Sequence, residues 1–104
     1  MALSRFGFIV VGAGLCGRQN VMRMESPDFL MITCGVGQPE HVVEAARGLV
    51  AEGVQLIELC GGFGPTWTAR VIEAIDGAVP VGAVGYGPEC LDQMHALFSP
   101  APVS

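Results

Sequence analysis

Lysine is absent from this 104-residue chain, and its five basic residues, Arg5, Arg18, Arg23, Arg47 and Arg70, are scattered. Ten acidic residues bring the formal charge to −5. A negative chain without a basic run offers little to nucleic-acid phosphates or an anionic membrane surface, so neither is expected as a partner. Long apolar runs are also missing. The apolar stretches are strand-length and broken by glycine, far short of the roughly 20 residues of a membrane helix. No CxxC occurs among Cys16, Cys34, Cys60 and Cys90, which removes the common zinc and dithiol spacings. Residues 1–14 lack a small-residue cleavage site and read as a first strand, not a leader. The expected location is therefore the cytoplasm, with the four thiols reduced.

What the chain does have is apolar side chain, 51% of residues against 14% charged. A single domain of this length buries roughly two-thirds of its unfolded surface. The apolar surplus points to a homo-oligomer, in which a second copy covers some of it.

Residues 6–12 and 29–34 are short, branched and apolar, and read as strands. Residues 13–27 are mixed, and a turn or two of helix is expected around Arg18 to Met24. Pro39 opens a helix that runs to Glu52, with Val42, Ala46, Leu49 and Val50 on one face and Gly53 as its left-handed stop. Gly48 inside that helix costs up to about 1 kcal/mol relative to alanine, and close packing is the expected reason. A third strand spans residues 54–60. A second helix runs from Pro65 to Asp76, with Ala69, Ile72 and Ile75 inward and Gly77 as its stop. A fourth strand spans residues 79–86, and a third helix residues 88–98. Strands alternating with helices predict a small single-sheet α/β domain over residues 1–98, with about four mostly parallel strands and two to three helices. Residues 99–104 are expected to form a tail.

Three strand-to-helix junctions share one grammar: Gly37-Gln38-Pro39, Gly64-Pro65 and Gly87-Pro88. Parallel strands place all three helix starts at one edge of the sheet. Unpaired N–H groups there favour a carboxylate or phosphate. The richest junction is Glu58-Leu59-Cys60-Gly61-Gly62-Phe63-Gly64-Pro65. Glu58 and Cys60 share a strand face behind Val54 and Leu56. Desolvation at the end of that apolar row is expected to suit Glu58 for acid/base work, or else Glu58 is a structural carboxylate held by loop N–H groups, Arg18 or Arg23. Cys60 is a candidate nucleophile, with His41 at the first turn of its helix as base or ligand. Gly61, Gly62, Phe63, Gly64, Arg18 and Cys34 are the candidate ligand-binding residues. If their strands are neighbours, Cys34 and Cys60 approach each other, but buried structural thiols are the simpler reading. Trp67 and Phe63 either wall a pocket or fill core. His95 has no partner in the sequence. Gly12-Ala13-Gly14-Leu15-Cys16-Gly17 fits GxGxxG, yet the acidic ribose partner at the end of the next strand is missing, so no dinucleotide or other cofactor is expected, and no metal.

With ELCGGFGP followed by a helix and then VPVGAV, the chain resembles a family of small bacterial α/β domains of unknown function. The likeness spans residues 8–84 and is most specific over residues 58–64. The resemblance implies a fold and a strand-end loop, not a reaction. More distantly, the strand–Gly-Gly–helix junction is similar to phosphate-binding corners of (β/α) barrels. Three functions stay open at this point. The first is a domain binding an anionic metabolite at the strand ends. The second is an isomerase- or lyase-type enzyme using Glu58 with Cys60 or His41. The third is a structural homo-oligomeric subunit.

Overall fold

The computed structural model describes residues 2–99, so the tail expected from 99 onward lies, past Ser99, outside the described residues. Five strands form one sheet: β1 (Arg5–Val11), β2 (Val21–Ser26), β3 (Phe29–Val36), β4 (Leu56–Leu59) and β5 (Val81–Ala83). Three helices accompany them: α1 (Val42–Ala51), α2 (Gly64–Ala74) and α3 (Leu91–Phe98). Single 3-10 turns at Pro39–His41 and Pro88–Cys90 lead into α1 and α3. The strand order is β2-β3-β1-β4-β5. β1, β3, β4 and β5 run parallel, and β2 is an antiparallel edge strand on β3. The segments ending near Cys34, Cys60 and Tyr86 therefore point the same way, as the Gly–Pro junctions predict.

Two sequence expectations are corrected. Helix was expected around Arg18 to Met24, but residues 21–26 form β2, whose every residue is exposed. An edge strand with both faces open carries no burial pattern to read. Its identity rests on backbone pairing with β3 and on the Pro27-Asp28 turn, where the Asp28 N–H donates to Ser26 Oγ at 3.2 Å. Second, the inward stripe of α2 is Val71 and Ile75 with half-buried Trp67, whereas Ala69 is exposed and Ile72 is turned outward. Two stripes one residue apart both satisfy helical spacing, and packing selects between them.

α1 and α2 pack on each other and on the same sheet face. Successive crossovers from β3 past β1 to β4, and then on to β5, step in one direction, so right-handed connections put both helices on one side. The core between helices and sheet contains Ile9, Ile32, Cys34, Val36, Val42, Ala46, Leu49, Ile57, Leu59, Phe63 and Val71. The alternate residues Phe6, Phe8, Val10, Met31, Leu56 and Glu58 fall on the reverse face. Polar groups fasten the N-terminal ends of the strands. Gln55 Oε1 accepts from the backbone N–H groups of Ser4 (2.7 Å) and Arg5 (2.9 Å), and Arg5 Nη1 donates to the Glu52 carbonyl at 2.6 Å. Gly53 and Gly77 take left-handed conformations (φ 85 and 64) and end α1 and α2 as expected.

Candidate functional site

The candidate residues divide into three places. Arg18, Cys34 and His41 come together in one cavity. Gly61 and Gly64 line a second groove. Glu58, Cys60, Gly62 and Phe63 line neither.

The first cavity, about 410 Å³, lies between α1 and the β2–β3 hairpin. The loop from β1 to β2 closes its upper end. That loop is pinned to the end of β3: the Gly12 N–H donates to the Val36 carbonyl (2.9 Å) and the Gly35 N–H to the Asn20 carbonyl (2.8 Å). Leu15 folds across the strand end, and a Cβ built on Gly35 or Gly37 would lie 2.8 Å or 2.6 Å from it. At Gly37 the obstacle is the Leu15 backbone carbonyl, so glycine there is a packing requirement; at Gly35 it is the tip of the Leu15 side chain, which can give way. The GxGxxG stretch is followed by β2, not a helix, so it forms no phosphate-binding helix start.

Val21, Ile32, Cys34, Val36, Ala45 and Leu49 give the cavity apolar walls. Arg18 and His41 stand at the end nearest the strand tips, where α1 begins. Arg23 and Glu52 stand at the other end, joined by a salt bridge of 3.7 Å, and Glu44 lies between. Among the described residues this is the one ion pair, which leaves Arg18 without an acidic partner there. Gly48 also lines the space, and a Cβ on it would meet nothing within 4 Å. The expected close packing at Gly48 is therefore not found; this mid-helix glycine faces open volume. Burial pushes the Cys34 thiol above its ordinary pKa, and nearby Cys16 adds to the shift. The thiol is thereby kept protonated, and its Sγ lies 3.6 Å from the Gly17 carbonyl. A protonated, buried thiol is a wall of the cavity, not a nucleophile.

The ELCGGFGP junction is packed down. Phe63 is 4% exposed and fills core. A Cβ on Gly62 would lie 2.9 Å from Val11 Cγ1, and one on Gly61 3.0 Å from the Val84 carbonyl. The double glycine admits neighbouring chain. Cys60 is half-buried, and its Sγ accepts the Val11 N–H at 3.4 Å. Cys34 and Cys60 end strands separated by β1, so they are not adjacent; two strand spacings are about 9.5 Å. Glu58 is exposed on the reverse face, so the desolvation expected for it is absent, and it has no ion pair among the described residues. Trp67 packs against the core, with the Arg70 guanidinium 4.4 Å over its ring. No group of three His, Cys, Asp or Glu residues able to hold a metal occurs among the described residues. No helix of the described residues is long and apolar enough to cross a membrane.

Sequence reasoning did not select Glu44, Gly48 or Glu52 as site residues, and it placed Arg23 with Arg18 on a loop whose charges would favour an anion, where the structure puts it on β2 in an ion pair. The available signal was Ser26-Pro27-Asp28 before residues 29–34: a turn tripeptide ahead of a strand implies a hairpin, and the hairpin carries Arg23 to α1.

Among curated proteins and among solved structures, none matches the chain at a significant level. A family model does match, over residues 4–99. The match takes in the β1–β2 loop and α3 together with the ELCGGFGP junction, and the chain accordingly belongs to DUF6506, a family of unknown function.

Proposed function

We propose that this protein binds a small amphipathic anion, a carboxylate or phosphate head on an apolar body, in the cavity between α1 and the β2–β3 hairpin. One observation carries the reading: Arg18, without an acidic partner among the described residues, lines with His41 one end of a space of about 410 Å³ whose walls are largely apolar and whose other end holds the paired Arg23 and Glu52, with Glu44 between. That volume lies within the roughly 300–1,000 Å³ range of small-molecule sites, and few polar groups on apolar walls are their usual lining. Gly48 supports the reading. A helix-interior glycine costs up to about 1 kcal/mol, and here it gains no packing contact but leaves the cavity open. The reading keeps the anionic ligand near the strand ends but shifts its body along α1. No specific observation favours acid/base chemistry, because Glu58 is exposed outside both cavities.

The test is thermal unfolding with octanoate, phenyl phosphate and inorganic phosphate. At ligand about a hundred times Kd the native state gains about 2.7 kcal/mol, a clear rise in Tm. Octanoate or phenyl phosphate is expected to protect more than inorganic phosphate does. Arg18→Ala removes the anchor, and Gly48→Leu fills the space; each is expected to abolish protection. Protection that survives both substitutions, or none from any probe, overturns the reading.

A further inference from the structure

We propose that two copies of the chain pair through the arm that follows β5, each seating its α3 in the groove beside the other's α2. This inference does not depend on the ligand reading. The arm, residues 84–98, holds Val84, Tyr86, Leu91, Leu97 and Phe98, half of the ten large apolar residues left exposed among the described residues. Leu97 is 72% and Phe98 71% exposed. Leu91, Met94, Leu97 and Phe98 recur at helical spacing and form one stripe.

No residue of α3 is buried, and its one substantial packing neighbour is the 3-10 turn before it. A helix of eight residues is too short to persist alone in water, where about 12–15 are needed. Something must therefore hold it. Its own body holds it weakly: Leu91 and Met94 line a groove of about 700 Å³ whose other side is Thr68, Ala69 and Ile72 of α2. Ile72, the residue the periodicity placed inward, is exposed in that groove. The chain as a whole is also drawn out. The radius of gyration is 15.1 Å and the long extent 53 Å against 30 and 29 Å, where a compact domain of this length has about 13 Å.

A second copy fits because each chain carries both halves of the contact, an apolar helix and a largely apolar groove of about 700 Å³. Around a two-fold axis each arm fills the other's groove and the interface closes. The arm and the facing residues of α2 supply roughly 20 residues a side, the low end for a stable pair. The same burial accounts for the apolar surplus of the composition.

Sedimentation velocity on the full chain tests this. The expected species is a dimer, twice the 10.8 kDa of one chain. Phe98→Asp, at an exposed and thus tolerant position, is expected to weaken pairing by about thirtyfold or more, the size of a hot-spot truncation. Met24→Asp, exposed on β2 at the opposite edge, is expected to leave it unchanged. A monomer at every concentration overturns the proposal. So does a pair that survives Phe98→Asp, or one split by Met24→Asp alone. Hydrogen exchange of the unaltered chain gives a second readout. Amides of residues 91–98 are expected to gain protection with concentration, and concentration-independent exchange overturns the proposal.

Discussion

The two flanks of the sheet are finished differently. On the β2 flank the chain doubles back, and an eight-residue strand carries a six-residue antiparallel partner. Its connecting loop is tied down, and Arg23 bridges to Glu52 of the helix side. On the β5 flank the last strand has three residues, and the chain then leaves the body. The first flank encloses volume, while the second exposes side chains. Enclosure follows from the hairpin: it adds a wall opposite α1 without adding a helix to fill the space behind it. The β5 flank has no such wall, so its helix lines one side of an open groove without filling it.

The largest expected effect tests the segment between the flanks. Phe63→Ala removes a buried ring and should cost about 3–5 kcal/mol. A urea midpoint lowered by much less would mean the ELCGGFGP loop is not a core plug and is free to serve a ligand. Next comes a matched pair of glycines. Gly37→Ala forces a Cβ onto the Leu15 backbone and should cost about 1–3 kcal/mol. Gly85→Ala, on the open flank with nothing within 4 Å, should stay within about 0.5 kcal/mol. Equal costs would erase the contrast between the flanks. Smaller again, Gly48→Ala should stabilise the protein by up to about 1 kcal/mol, read in the same titration. A loss there would mean the cavity is closed.

The smallest effect concerns the thiols. Cys16 is exposed and Cys34 buried, so a thiol reagent at neutral pH should modify Cys16 first. Burial raises the folded pKa of Cys34 above its ordinary 9.0. Folding thus favours the protonated form, and this contribution is intact below pH 9.0 and fades as pH rises through the folded value. Cys34→Ala should flatten the alkaline decline in stability. An unchanged slope would place the cause elsewhere.

The helix-bearing parts of the fold were legible because burial writes a pattern. Val42, Ala46 and Leu49 repeat at helical spacing, and the Gly–Pro junctions mark parallel strand ends. β2 was illegible because all six of its residues are exposed, and exposed residues obey no periodicity. The sheet order was illegible for another reason. Strand sequence does not state which strand is central, and placing β1 between β3 and β4 separates Cys34 from Cys60. Only half of the candidate site was readable. Arg18, Cys34 and His41 do share a cavity, but Arg23 and Glu52 join it through the unforeseen hairpin. Gly61 and Gly62 looked like a ligand cradle because the same residue serves close chain approach and anion contact.

The uniform sense of winding has a further consequence. In doubly wound sheets the ligand crevice opens where successive crossovers part to opposite faces. Here the two helix-bearing crossovers, β3 to β4 and β4 to β5, step the same way, so both helices lie on one face and do not part to form such a crevice. Room for a guest molecule has to come from a missing layer. The half-clad architecture supplies that along the side of α1, and on the back of the sheet it leaves Phe8 and Met31 only half-buried.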